Sequence, residues 1–223
     1  GIVTTETLEG GPPSTDLSYV LDGARSAIVF ALPLNQEQIE RFLKKEDFPG
    51  HCLDNVRTNT QASGIALELA RFLEMKGYAA VPVESNFVYR KDTSRGPFDE
   101  KPPISHRYLA VRSGIGHFGL SGNVVREKEG AAIILGAVVT KAQLTPTEPL
   151  PAGENYCDEC RLCMAACASG LMHQEEKTSV TLGGAEFSYA KRQSYNRCDY
   201  VCGGFSGLSK TGRWSTWSPA RFP

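Results

Sequence analysis

A chain of 223 residues, 41% hydrophobic and 22% charged, suits one mid-sized core plus a small appendage. The formal net charge of -1 excludes a broadly polyanion-binding surface, so nucleic acid is not expected as the principal partner. No apolar run approaches the ~20 residues needed to span a bilayer, and no charged-then-apolar leader opens the chain. The first residue is Gly1, not Met, which leaves room for residues before it.

The first 24 residues are polar and rich in Gly and Pro, and residues 25–33 then read as a buried strand ended by Pro33. Ile39, Phe42 and Leu43 give residues 35–45 a helical spacing. After a break at Pro49-Gly50 a longer helix is expected, with Asp54 as N-cap, Ala62, Ile65, Ala66, Leu69, Phe72 and Leu73 as its apolar stripe, and Gly77 as its stop. Residues 78–83 read as a second strand, so the order strand, helix, strand points to α/β or α+β layering.

Residues 84–103 form a long polar stretch crowded with Arg90, Lys91, Asp92, Arg95, Asp99, Glu100 and Lys101. A solvated loop is the ordinary reading, but loops of this length in compact domains are uncommon unless functional. A short helix over 106–112 leads into the glycine loop of residues 114–123, followed by strands at 124–125 and 131–140 around a hairpin at 127–130. Pro146, Pro149 and Pro151 mark residues 142–155 as a linker and the domain boundary, dividing the chain into residues 1–143 and 144–223. Beyond it a short strand over 178–182 and a helix over 187–202 are expected, and the tail with Trp214 and Trp217 shows no usable periodicity.

Six of the seven cysteines lie between Cys157 and Cys202, a distribution suited to metal ligation in a reducing, cytoplasmic compartment. Cys157, Cys160, Cys163 and Cys167 are spaced by two, two and three residues, the run that cradles a 4Fe-4S cluster: three thiolates converge on a turn entering a short helix, while the fourth serves another cluster. Structural zinc would ordinarily use two separated Cys pairs. Ala168 replaces the Pro that ends the bacterial ferredoxin run, which changes an exit turn and no ligand. Cys198 and Cys202, four apart, are candidates for the remaining ligands, but six cysteines cannot complete two four-Cys clusters.

Gly114, Gly116 and Gly119 match the dinucleotide fingerprint G-x-G-x-x-G, but a helix-like segment precedes the loop and no amphipathic helix follows, which argues against a Rossmann site. Four glycines here permit close approach, either by a flat cofactor or by another strand. His117 is a candidate axial ligand or acid, although a lone His is more often packed or solvated. Cys52 reads as a small buried hydrophobe.

Residues 14–33, 109–123 and 135–140, with the cysteine run, resemble the epoxyqueuosine reductase and reductive dehalogenase superfamily. Residues 202–219 look like a branch known as double-cluster 4Fe-4S proteins. The resemblance implies an α/β (α+β) architecture: a nitroreductase-like sheet-and-helix domain that holds base-off cobalamin, then a small ferredoxin-like domain that passes it electrons. It implies one or two 4Fe-4S clusters on Cys157, Cys160, Cys163, Cys167, Cys198 and Cys202, and a further cysteine box beyond this chain. The cofactor would meet Gly114, Gly116, His117, Gly119, Gly122 and Asn123. Here His117-Phe118 replaces the Trp-Ile of the reductase loop, and Leu120-Ser-Gly122 replaces its Lys. Glu100, with Asp99 one residue off, falls where the reductases carry a catalytic Asp. The implied partners are an electron donor of ferredoxin or flavodoxin type and a small-molecule or modified-nucleoside substrate, with tRNA only for a true epoxyqueuosine reductase. A non-catalytic 4Fe-4S electron-transfer or maturation protein is the alternative, and flavin the alternative cofactor.

Overall fold

The computed structural model describes residues 1–84 and 88–202, without the side chains of residues 199, 200 and 202. The readings of the tail, of residues 203–219 and of the Cys202 side chain therefore lie outside the described residues. A four-stranded sheet has the order β1-β2-β6-β3, formed by β1 (Ile2–Thr4), β2 (Ser26–Pro33), β3 (Ala80–Val83) and β6 (Ile133–Thr140). Every pairing is antiparallel, with β2 and β6 joined over eight residues from Ser26–Thr140 to Pro33–Ile133.

Strand alternation divides this sheet into two faces. Ala27, Val29, Ala137 and Val139 enter the main core with Leu109 and Val111 of α3 (His106–Arg112). Val138 and Ala80 enter a smaller core against α2 (Phe48–Met75), with Ile28 and Phe30 packed beside them. The helix α1 (Gln36–Leu43) starts where the Asn35 side chain accepts from Gln38 N–H.

Helix α2 begins seven residues earlier than expected. Asp47 caps it, its carboxylate accepting from Gly50 N–H at 2.8 Å, and Pro49 is harmless in the first turn because that N–H has no helical partner anyway. Asp54, expected as the cap, is instead buried, accepts from Asn35 N–H at 2.7 Å and pairs with Arg57. The buried stripe is Ala62, Ala66, Ala70 and Leu73, whereas Phe72 is 51% exposed and Ile65 also faces out. Gly77 takes a left-handed φ of 86° and closes the helix as expected.

The short strands β4 (His117–Phe118) and β5 (Val124–Val125) pair with each other. Strand β5 therefore does not form the expected hairpin with β6; only the turn closed by Arg126 and Gly130 remains of it. Past the extended residues 142–155, α4 (Leu162–Ala166) carries Cys163, and a long hairpin joins β7 (Met172–Leu182) to β8 (Ala185–Arg192). The expected helix over 187–202 survives only as α5 (Asn196–Cys202). Its first half is strand because Gly183 and Gly184, at φ 54° and 83°, reverse the chain and the following residues alternate, with exposed Glu186 and Ser188 between inward Phe187 and Tyr189. The hairpin is tied into the main core by Leu182, wholly buried, and by Tyr189, whose ring lies 4.8 Å from that of Phe118.

Candidate functional site

A cavity of about 650 Å³ opens between α3, the residue 114–123 loop, the start of β6, the end of β8 and α5. Its wall includes Glu100, His106, Asn123, Tyr189, Arg192 and Cys198. The volume falls in the range of small-molecule sites. A concavity of about 730 Å³ on the outer side of α2, lined by Leu32, Ile65 and Leu69, has Glu68 as its one charged group and holds no such set.

Local structure explains how these groups arrive together. Helix α3 presents consecutive residues to the cavity: His106, Arg107 and Tyr108 all line it, while Leu109 is fully buried beneath. Tyr108 and Tyr189 share a 2.6 Å hydrogen bond between their hydroxyls. Burial, reinforced by that bond, raises the Tyr108 pKa, so the phenol stays protonated. Burial likewise pushes His106 down to about 4, leaving a neutral imidazole.

The two carboxylates picked from sequence separate cleanly. Glu100 takes a left-handed φ of 51° after a short 3-10 turn and lines the cavity. Asp99 does not line it; its carboxylate is bound by Arg95 Nε at 2.6 Å and by Ser94 Oγ at 3.1 Å. Hydrogen bonds from the Arg95 backbone and side chain hold it down at about 2, so Asp99 has no proton to give near neutrality. The charge-rich stretch also contains a buried residue, Arg90, paired with Asp92 at 2.6 Å and stacked 3.7 Å over the Tyr19 ring.

Of the loop residues named as cofactor contacts, Asn123 lines the cavity and the others do not. A Cβ on Gly116 would stand 2.5 Å from the Val125 carbonyl, and one on Gly122, at φ 73°, would stand 2.6 Å from the Tyr189 ring. Those two glycines answer to protein neighbours, a strand and an aromatic ring. Gly114 abuts the Glu148 carbonyl, and Gly119 donates to Asn123 O in the loop's tight turn. His117 is buried in β4 away from the cavity wall; burial lowers its pKa against the opposing pull of Glu154.

The cysteines fall into two groups. Cys160 and Cys163 are exposed on the turn made by left-handed Glu159 and Arg161, and Cys157 accepts from Leu120 N–H at 3.2 Å. Cys167 and Cys198 meet at Ser169, whose hydroxyl lies 3.3 Å from the first sulfur and 3.5 Å from the second. Burial alone would raise the Cys167 thiol, but hydrogen bonds from Ser169, Leu171 and Gly170 outweigh it and lower the pKa toward thiolate. Among the described residues no three Cys, His, Asp or Glu side chains gather tightly enough for one metal ion, so Cys157, Cys160 and Cys163 do not converge as expected. The donor set fits a cluster nonetheless: thiols, one of them a thiolate-favoured group, receiving backbone N–H bonds of the kind that tune iron-sulfur sulfurs.

Tyr108, Tyr189, Tyr195, Arg107 and Arg192 were not singled out from sequence. The strand alternation of Phe187 and Tyr189 after Gly183-Gly184 was the signal that could have placed two of them, Tyr189 and Arg192, on one strand.

Comparison with known proteins gives a consistent setting. No protein-family model matches the chain. It is 29% identical over 162 residues to an epoxyqueuosine reductase of Gloeobacter violaceus, covering 72% of this chain and 45% of that protein. It is 37% identical over 65 residues to that of Atelocyanobacterium thalassa, covering 29% and 20%. The match thus spans less than half of either relative. Among solved structures, the catabolic reductive dehalogenase NpRdhA superposes with a TM-score of 0.64 at 16% identity, covering 90% of this chain and 27% of that one, a likeness of fold. Relatives and structural neighbours thus come from the epoxyqueuosine reductase and reductive dehalogenase superfamily, as the sequence resemblance implies.

Proposed function

We propose that this chain is the core of an iron-sulfur reductase, in which one or two 4Fe-4S clusters relay single electrons into the 650 Å³ cavity. The coarser part rests on relatives named as reductases. One observation supports the finer part: Glu100 and Cys198 both line the same cavity. An electron-carrying ligand and a carboxylic acid would then face one bound molecule.

In this reading Cys157, Cys160 and Cys163 hold one cluster, and Cys167 with Cys198, and Cys202 beside them, supply ligands to another. Residues 1–143 hold the cofactor, with cobalamin the leading candidate, in a nitroreductase-like unit, and residues 144–223 form the ferredoxin-like unit. Bound together, clusters and corrinoid would supply one-electron transfer and a strongly reducing metal centre. The chain's own residues do the rest. Tyr108 and Tyr189 wall the cavity with a hydrogen-bonded pair of phenols, Asn123 offers an amide, and neutral His106 adds no charge. Glu100 delivers the proton that must accompany reduction, a role that Asp99, locked to Arg95, does not take. The substrate is a small molecule or modified nucleoside, tRNA-borne if the activity is that of the relatives, and the electrons come from a ferredoxin- or flavodoxin-type donor in the cytoplasm.

The experiment is anaerobic purification with iron, acid-labile sulfide and corrinoid determination, then titration with cobalamin followed by absorbance. Stoichiometric zinc without sulfide would defeat the reading. Clusters without any cobalamin response would favour the electron-transfer or maturation alternative, to which the exposed Leu53, Val56, Leu67 and Met75 of α2 would lend a partner-binding face.

A further inference from the structure

Arg107 and Arg192 both line the cavity and have no role in the reading above, which this inference deepens by using the same cavity as a ligand site. Arg107 donates from Nη1 to Gly122 O at 2.5 Å and from Nη2 to the Tyr195 hydroxyl at 3.5 Å. Arg192 donates from Nε to Ser121 O at 2.8 Å, from Nη2 to Asn123 Oδ1 at 2.7 Å, and from Nη1 to the same Tyr195 hydroxyl. Two guanidinium groups from different elements therefore grip one turn of the loop and share one phenol.

Each guanidinium carries five N–H donors. The described residues occupy two on Arg107 and three on Arg192. No described carboxylate comes within 4.0 Å of either group, although eight Lys or Arg ion pairs are formed elsewhere among the described residues. Burial, and then the charge of Arg107, lower the Arg192 pKa, as expected of two cations held together with no counter-charge among the described residues. Stapling the loop would need one arginine at most, and a neutral donor such as Gln would do it without the repulsion.

We propose that Arg107 and Arg192 form an oxyanion subsite of the cavity that takes a phosphate group of the bound molecule. Planar guanidinium forks bind phosphate and carboxylate oxygens bidentately, and two forks with two positive charges match a tetrahedral phosphate better than a carboxylate with two oxygens and one charge. The phosphate would belong either to the cofactor or to a nucleotide-bearing substrate.

The test is calorimetric titration of inorganic phosphate into the anaerobic full chain, at ionic strength fixed with chloride, with iron and sulfide measured in the same samples. Saturable binding is expected, weakened about tenfold or more in R107Q and in R192Q. Because Arg192 also holds the loop, far-UV circular dichroism accompanies each variant, and R192K, which keeps the charge but loses the fork, should bind with intermediate affinity. Competition by cobalamin would assign the subsite to the cofactor's phosphate, and additive binding to the substrate's. Unsaturable or equal binding by wild type and variants means an adventitious ion only and overturns the proposal. So does R192K binding as tightly as wild type, or phosphate binding only to iron-free samples, since the cluster would then be the counter-charge. Phosphate binding in a protein shown never to hold iron would instead defeat the redox reading and leave the subsite standing.

Discussion

The two faces of the central sheet are built on opposite plans. Against α2 the interface is chiefly a stripe of alanines, Ala66 and Ala70 closed by Leu73, with Asp54 and Thr58 buried nearer the helix start and Phe72 and Met75 left outside. Against α3 and the hairpin, the sheet buries Leu109, Val111, Leu182 and Tyr189 and also encloses polar groups: His106, Arg112 and the Tyr108–Tyr189 pair. Small residues let a long helix lie close to a sheet and demand nothing else of it. Burying polar groups costs free energy unless they are bonded, so a face that keeps several is constrained by something beyond stability. The difference separates scaffold from site, and it can be broken experimentally.

The largest expected effect lies on the hairpin side. Cys160→Ser and Cys167→Ser should each remove iron, but from different clusters, so paramagnetic resonance of the reduced protein should lose a different signal in each; loss of the same signal in both would refute the two-cluster reading. Next, Glu100→Gln should cut turnover by about 10²–10⁴ with iron content unchanged, while Asp99→Asn should leave it near wild type. Equal loss in both variants would make the loop's fold, not a proton, the cause.

On stability, Leu109→Ala should cost about 2–5 kcal/mol in urea unfolding, against about 0.5 kcal/mol or less for Phe72→Ala on the opposite face. Similar costs would erase the contrast. His106 adds a pH signature of on the order of 3 kcal/mol. Its pKa is depressed from 6.5 to about 4, so the unfolded chain takes up the proton first and stability falls as pH drops through that window, levelling below it. His106→Gln should flatten this slope. Last, Tyr108→Phe leaves the Tyr189 hydroxyl without its buried partner and should cost about 1–3 kcal/mol.

Sequence by itself determined the elements whose signal is local. Strand β2 is an unbroken apolar run, α3 was placed to the residue, Gly77 stops α2, and the spacing of the cysteine run is a chemical pattern that needs no fold to be seen. Tertiary structure decided what depends on neighbours distant in the chain. Asp54 looked like a cap and is a buried acceptor for Asn35; residues 187–192, expected to open a helix, are strand paired with β7. The glycines of residues 114–122 were equally suited to a cofactor or to protein until Val125 and Tyr189 were seen against Gly116 and Gly122. Glu100 and Cys198, 98 positions apart by their numbers, share a cavity only because α3, the loop and the hairpin close around it. Residue type and spacing report what the backbone can do over a few positions, whereas burial, partnership and pKa are fixed by contacts that exist only once the chain has folded.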